Sequence, residues 1–378
     1  IIAGFNVKAV IDEPVAAALS YGLDKIGKDQ KVFVFDLGGG TFDVVILEIK
    51  GGHIREIAVN GDHLLGGKDW DDEIIKHVAN AFKVKYGSDP LDDPSSYQDL
   101  QLRAVKAKEE LSKREKTKIL CVHAGNTMIA ELTRDTFEEL TRPLVNRCKV
   151  LCDIVLSEAG LTWNDIDTVL LVGGSTRMPS IKTMVTEISG KVPCEELNPD
   201  ECVALGAAWH GAMLAVNEGL APEELARKLS IVHVEKVSSH NLGVIAFNAE
   251  GEERNYLMIP RFTPLPIDKK DDFKTAVANQ SSVLIRVLEG GIMGDDGTCD
   301  PKDCNLIAKG VIDAIPASPQ GSLVEITYCY TTAGILEVYS KHVLSGKDVK
   351  ITIEHTGGLS NQELIKASKE VQNARVTG

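Results

Sequence analysis

The chain has 378 residues, 43% of them hydrophobic and 25% charged, with a formal net charge of −14 at pH 7. That length accommodates two or three domains, each with its own core, and the composition is that of an ordinary globular protein. The acidic balance excludes nucleic acid or an anionic membrane as the main partner, and no apolar run approaches the ~18 residues that span a bilayer.

The opening, IIAGFNVKAV, lacks an initiator methionine and a basic-then-apolar leader, so it is expected to be the interior of a longer protein. Residues 11–23, IDEPVAAALSYGL, predict a helix opened by Asp12 and Glu13 with Pro14 in its first turn. Two β-branched apolar runs, Val32–Phe35 and Val44–Ile49, then flank FDLGGGTFD, and a second turn at Gly51-Gly52 returns the chain into HIREIAV. This is an antiparallel meander. A further glycine loop spans 60–70, after which Asp69 can cap a helix whose buried stripe is Trp70, Ile74, Ile75, Val78 and Phe82. Residues 89–96 break the pattern before a charged helix over Arg103–Ser112. LCVHAG and MIAELT form a hairpin, and residues 133–160 a long amphipathic helix ended by Gly160. Thr168–Val172 is a strand feeding GGSTRMPS, Pro179 starts another helix, and NPDECVALGAAWHGAML (198–214) repeats the capped, alanine-rich design of the first.

The character changes after Leu214. VNEGLAPEELARKL is a charged, helix-prone connector, and from Ile231 to Thr356 helix signals give way to β-rich runs such as Val283–Leu288, Val324–Tyr330, Ile335–Tyr339 and Val349–Glu354. That predicts an all-β sandwich. A last polar helix, SNQELIKASKEVQNAR, carries a capping box of Ser360 and Glu363. Of eight cysteines only Cys299 and Cys304 form a close pair, CDPKDC, without the further ligands a zinc site needs. The spacing suits reduced thiols rather than a disulfide framework.

Three glycine loops (36–43, 66–69, 173–177) are the candidates for chemistry. Consecutive glycines can turn at positive φ and expose their amides as an anion site; a bare GGG is equally a hairpin turn. Asp36 at the entry can hold a hydrated Mg²⁺, and Thr41 offers a hydroxyl at the exit. Gly173 and Gly174 lie between a strand and a helix N-terminus, which favours an anion, and Arg177 could stack on a purine or simply cap its loop. Glu13 and Asp36 are the candidates for positioning water and metal in phosphoryl transfer, although an acid at Glu13 also suits a helix dipole. No Ser-His-Asp or Cys-His arrangement has support, and the nine histidines are dispersed.

Five of these segments, IDEPVAAALSYGL, FDLGGGTFDVVIL, NGDHLLGGKDWDD, LVGGSTRMPSI and NPDECVALGAAWHGA, resemble in order and spacing the ATPase motifs of the seventy-kilodalton heat-shock chaperones. FKTAVANQSSVLIRVLEG, TYCYTTAGILEVYSKHVLSGKDVKITI and HTGGLSNQELIKASKEVQ resemble the same family's peptide-binding sandwich and the start of its lid. The resemblance implies an α/β actin-like ATPase lobe at 1–215, a helical connector and interdomain linker at 216–239, an all-β peptide-binding sandwich at 240–358, and a short C-terminal lid helix at 359–378. It implies ATP/ADP and Mg as cofactors, extended apolar peptides of unfolded proteins as clients, and co-chaperones and nucleotide-exchange factors as further partners. By residue, Glu13 and Asp36 match the catalytic and metal-proximal acids and Thr41 the phosphate-contacting threonine. Gly38, Gly39 and Gly40 match the phosphate loop; Lys108 and Ser112 the adenine- and ribose-contacting helix; Gly173, Gly174, Ser175, Arg177 and Asp200 the adenosine side. Val244, Phe247, Phe273, Ala276, Val283, Ile285 and Val324 match the peptide cleft, with Phe247 and Ala276 arching over the bound chain; without the resemblance these are plain sandwich core.

The sequence departs from the family pattern in places. Val105 stands where the family usually has Glu, and Glu109 where eukaryotic members often have Arg, so purine contact is tuned differently. IVHVEKVSS (231–239) replaces a leucine run followed by Asp in the linker. The family's first lobe, with its own phosphate loop and catalytic lysine, would precede Ile1, so the chain alone is expected not to hydrolyse ATP. The rivals are a nucleotide-independent peptide- or partner-binding module and an actin-like enzyme or filament former of another class, against which the sandwich argues.

Overall fold

Val32 to Phe35 are apolar on both faces of their strand, and a strand of that kind is stable only when both faces are covered. The computed structural model describes residues 8–22, 28–194, 197–229, 232–332 and 334–353. In it the chain divides into two units, Ile11–Val234 and the part from Glu235 onward, which includes residues 8–10. The first unit runs α1 (Glu13–Gly22), β1 (Gln30–Leu37), β2 (Phe42–Lys50), β3 (His53–Asp62), α2 (Gly67–Tyr86), α3 (Pro94–Leu111), β4 (Lys116–His123), β5 (Asn126–Thr133), α4 (Arg134–Glu158), β6 (Thr168–Val172), α5 (Pro179–Ser189), α6 (Cys202–Asn217) and α7 (Glu223–Leu229). It ends at β7 (His233–Glu235).

Its main sheet has the order β6-β1-β2-β3-β7; β1 pairs in parallel with β6 and antiparallel with β2, Asp36 facing Asp43. Val32 and Val34 point to one face, where Val15, Ala17, Ala18 and Leu19 of α1 and Cys202 and Met213 of α6 complete a buried core. Phe33 and Phe35 point to the other, where the Phe33 ring meets Trp163 at 4.6 Å and the Phe35 ring meets Phe42 at 4.6 Å. The alanine run in α1 is fully buried because α6 lies against it at Gly206: a Cβ there would fall 1.7 Å from the Ala16 carbonyl oxygen. The helical stripe of α2 is buried as its spacing predicts, at Trp70, Ile74, Ile75, Val78 and Phe82. The break expected over 89–96 is shorter: a 3-10 turn at Pro90–Asp92 leads straight into α3, whose N-terminus is capped by the Asp93 carboxylate accepting from Ser96 N–H at 2.8 Å.

The second unit holds β8 (Leu242–Phe247), β9 (Glu253–Ile259), β10 (Ile267–Lys274), β11 (Val283–Gly290), β12 (Thr298–Cys299), β13 (Cys304–Ile312), β14 (Leu323–Tyr330), β15 (Leu336–His342) and β16 (Asp348–Ile353). They form one sheet of order β12-β9-β8-β11-β13 and another of order β10-β14-β15-β16. Leu242, Val244, Ile285 and Val287 of the first share one core with Val324, Ile326, Tyr328 and Val338 of the second. The buried Tyr328 hydroxyl donates to Gly243 O at 2.8 Å, which satisfies its one polar atom. β10 sits at a sheet edge with its five central residues, Asp268 to Asp272, exposed and all charged, a composition that blunts edge-to-edge association. The connector expected at 216–239 is divided: α6 continues to Asn217, α7 follows, and His233 donates its backbone N–H to Gly52 O at 3.0 Å within the first unit. The expected lid helix at 359–378 lies outside the described residues.

Candidate phosphate-binding site

Three glycine loops of the first unit converge on one carbonyl. Leu37 ends β1 paired with Phe42, so the chain reverses over Gly38–Thr41, closed by Gly38 N–H donating to Thr41 O at 3.0 Å. Gly38 O then accepts the N–H of Gly67 at 2.9 Å and the hydroxyl of Ser175 at 2.9 Å, while Gly39 O accepts from Lys68 N–H at 2.8 Å. With the carbonyls of Gly38 and Gly39 held in this way, Gly39 and Gly40 lie exposed, and nothing stands within 4 Å of a Cβ placed on either.

The expected positive φ is absent from the first loop: none of Gly38, Gly39 and Gly40 adopts it. Close approach demands glycine in the second loop, where a Cβ on Gly66 would lie 2.5 Å from the backbone of Gly40 and one on Gly67 would lie 2.3 Å from Ser175 Oγ. Positive φ is needed at Gly173 (82°), where a Cβ would also meet Leu37 O at 2.4 Å and Asp36 Oδ1 at 2.9 Å. A second difference lies at Gly174, which opens a 3-10 turn over Gly174–Arg177; α5 begins only at Pro179. Its amides therefore lack the full dipole of an α-helix start.

Asp36 is only 6% exposed. Burial, and then the neighbouring carboxylates of Glu13 and Asp43, push its carboxyl up from 3.8 to about 7. Asp43 is raised by burial as well, with His63 acting against the shift and Glu13 and Asp12 adding to it. Glu13 is exposed at the N-terminus of α1, and Thr41 is exposed at the loop exit. Among the described residues no trio of acidic, histidine or cysteine side chains is placed to ligate a metal directly. The buried Asp36 and the half-buried Asp43, whose charge raises Asp36, nonetheless suit a divalent cation held through water, which would relieve that repulsion.

Two cationic side chains beside the loops, Lys108 and Arg177, are each held by a carboxylate. Lys108 Nζ donates to Gly67 O at 2.6 Å and to Asp71 Oδ2 at 2.8 Å, with the two side chains 13% and 8% exposed. Burial raises the Asp71 carboxyl in spite of the hydrogen bond from Lys108. Arg177 Nη2 donates to Asp200 Oδ2 at 2.6 Å and to Asn198 Oδ1 at 3.2 Å, and Asp200 Oδ1 sits 3.4 Å from the Cβ position of Gly174. Ser112 closes α3, its hydroxyl donating to Lys108 O at 3.1 Å. Val105 and Glu109 share the face of α3 that carries Lys108 and Ser112, and both are exposed.

Sequence reasoning did not single out Asp43 or Asp71, and it named Asp69 only as a helix cap and Gly66 and Gly67 only as part of the second glycine loop. The glycine pair and acids in LLGGKDWDD were the available signal. Asp69 fixes the second loop, its carboxylate accepting from Gly66 N–H at 2.8 Å while its own N–H donates to Gly66 O at 2.8 Å. Asp69→Ala is expected to destabilise the first unit by about 1 kcal/mol, the usual cost of a lost helix cap, read as a lower urea midpoint with unchanged slope.

The sequence matches the Hsp70 protein family over residues 1–377. The chain belongs to the Hsp70 family. It is 38% identical over 383 residues to the chaperone protein DnaK of Metamycoplasma hominis, covering 99% of this chain and 61% of that protein. It is 39% identical over 381 residues to the DnaK of Thermosipho melanesiensis, covering 98% of this chain and 61% of that one. It thus spans about three-fifths of the length of these relatives.

In this Hsp70-family chain the seven positions expected to line a peptide cleft are not equivalent. Val244, Ile285 and Val324 are buried in the core shared by the two sheets, and Phe273 and Val283 pack at its margin. Phe247, 55% exposed, and the exposed Ala276 are the two that face outward. Ala276 is fixed by its backbone, its N–H donating to Gln280 Oε1 at 3.0 Å and its carbonyl accepting from Gln320 Nε2 at 2.9 Å. The Phe273 ring meets Tyr256 edge-on at 6.1 Å. The family also bears on the first unit, which is mixed α/β and carries, among the described residues, no helix long and apolar enough to cross a membrane.

Proposed function

We propose that this chain carries part of the nucleotide site and the peptide-gripping domain of an ATP-dependent chaperone, in which nucleotide state controls the hold on extended apolar peptides. The observation that carries the reading is Gly38 O accepting from both Gly67 and Ser175, which ties three glycine loops to one point beside the exposed Gly39 and Gly40. In this reading the amides of Gly39 and Gly40 and the Thr41 hydroxyl hold β- and γ-phosphate oxygens. The segment Gly173–Arg177 with Asp200, and the α3 face with Lys108 and Ser112, hold the nucleoside side. Asp36 holds water that coordinates Mg²⁺, and Glu13 orients the attacking water. A magnesium ion, when bound, supplies the positive charge that phosphoryl transfer needs. The second unit is read as the sandwich whose outward residues, Phe247 and Ala276, bracket a peptide adding strand-like backbone hydrogen bonds. The free state of all eight cysteines agrees with a reducing, cytoplasmic setting and with clients and co-chaperones found there.

A second reading is a nucleotide-independent peptide- or partner-binding module, favoured by the altered segment 231–239. Calorimetric titration separates them. Under the first reading both ADP with Mg²⁺ and a short apolar peptide bind, and nucleotide changes peptide affinity; peptide affinity insensitive to nucleotide establishes the second.

Lys108 and Arg177 are committed to Asp71 and Asp200, so neither is available to the γ-phosphate position. The chain by itself is therefore expected to release no phosphate above background. Steady-state turnover that Asp36→Asn abolishes would overturn this.

A further inference from the structure

The CDPKDC segment belongs to neither proposed site. Cys299 ends β12 opposite Asn255 of β9, and Cys304 starts β13 opposite Gly290 of β11. The 3-10 turn Pro301–Asp303 folds the segment back, so the two sulfurs stand 3.4 Å apart, both as free thiols. Asn255, fully buried, directs its amide at both: Nδ2 lies 3.6 Å from Cys299 Sγ and 3.3 Å from Cys304 Sγ. The backbone of Gly291 presses on the pair from another side, at a φ of 80°, where a Cβ would stand 2.6 Å from each sulfur. Gly291 also lines a cavity of about 450 Å³ with His240, Asn241, Arg261, Gly290 and Asp303. One glycine thus separates the thiols from a space that small molecules can enter. Cys299 is buried, whereas Cys304 is partly exposed.

We propose that Cys299 and Cys304 are a reversible oxidation site, forming an intramolecular disulfide with a hydroperoxide or a small-molecule disulfide as oxidant. With hydrogen peroxide, the Cys304 thiolate attacks one oxygen, the O–O bond breaks and hydroxide leaves, giving a sulfenic acid. Cys299 then attacks that sulfur; the S–S bond forms, the S–O bond breaks, and the second oxygen leaves as water. Overall two thiols and one peroxide become one disulfide and two waters, the sulfurs being oxidised and the peroxide reduced. With glutathione disulfide the same pair is reached by two exchange steps that release two glutathione thiols. The sulfurs need approach by only about 1.4 Å to reach bonding distance near 2.05 Å. Burial, the neighbouring Cys299 and Asp303 push the Cys304 thiol up to about 11, against the favourable Asn255 amide. Cys304 therefore rests protonated, and oxidation proceeds through its small thiolate fraction. The disulfide would tie the end of β12 to the start of β13, fixing one end of the five-stranded sheet.

The test uses the whole chain, exposed to hydrogen peroxide or to glutathione disulfide, alkylated and digested with trypsin. Cleavage after Lys302 places the two cysteines on separate peptides, so the disulfide is read as a joined peptide pair that dithiothreitol releases. Alkylation of Cys299 and Cys304 is expected to fall together at least about tenfold, while that of buried Cys121, Cys148 and Cys152 stays constant. Cys304→Ser is expected to leave Cys299 alkylatable, and the wild-type peptide result stands alone if that variant does not fold. Separate peptides with both thiols alkylated, or each bearing only its own glutathione adduct or sulfinic acid, overturn the proposal.

Discussion

Gly206→Val is expected to destabilise the first unit by more than about 3 kcal/mol, beyond ordinary overpacking, because the obstacle is backbone and cannot rotate away. The added Cβ would meet the carbonyl oxygen, carbonyl carbon and Cα of Ala16 at 1.7, 2.3 and 2.8 Å. To admit it, α6 must move off α1, which opens the core of Val15, Ala17, Ala18 and Cys202. The separation also reaches the candidate site, since α1 begins at Glu13 and α6 follows Asp200. Denaturant unfolding followed by the fluorescence of Trp70, buried in the same unit, measures the loss. A midpoint within error of the wild type would mean that α1 and α6 do not cross at Gly206.

Asp36→Asn is expected to remove a pH dependence. The carboxyl titrates near 7 in the folded chain against an ordinary value of 3.8. Between those values the folded state keeps a proton that the unfolded state has lost, so stability falls as pH rises from about 4 to about 7 and is level above. The full shift corresponds to about 4 kcal/mol, and relaxation of a site with exposed neighbours reduces it to on the order of 2–4 kcal/mol. The asparagine variant never ionises. It should match the wild type near pH 4, exceed it at pH 8, and show a flatter profile of urea midpoint against pH. Parallel profiles would show that Asp36 does not carry the strain. Under the proposed function, Mg²⁺ with nucleotide restores wild-type stability at pH 8 and leaves the variant unchanged.

Where side-chain periodicity or turn chemistry decides structure, the sequence was enough. The stripe from Trp70 to Phe82, the β1–β2 reversal and the strand at Thr168–Val172 are local patterns, and each forms as expected. What was not legible depends on contacts between distant segments. The Lys108–Asp71 pair joins two helices with no spacing rule to connect them. The glycines of the first loop suggested positive φ, yet none adopts it; in the second loop Gly66 is small because the Gly40 backbone lies against it and Gly67 because the Ser175 hydroxyl does. β10 went unnoticed because IDKKDDFK is exposed on both faces and has no apolar alternation. Of the seven residues matched to a cleft by resemblance, pattern alone could not separate the buried Val244, Ile285 and Val324 from the outward Phe247 and Ala276.

The bonds at Gly38 O and Gly39 O have an electronic consequence. Each carbonyl shares its peptide unit with the next residue's N–H, so Gly38 O is conjugated to the Gly39 amide and Gly39 O to the Gly40 amide. Donors drawn onto these oxygens from Gly67, Lys68 and Ser175 pull electron density through the peptide units and leave the outward N–H groups more strongly polarised. The contacts that brace the loop from behind therefore make its front a better donor to an anion, and loosening α2 from the loop should weaken that donor strength even where the loop keeps its shape.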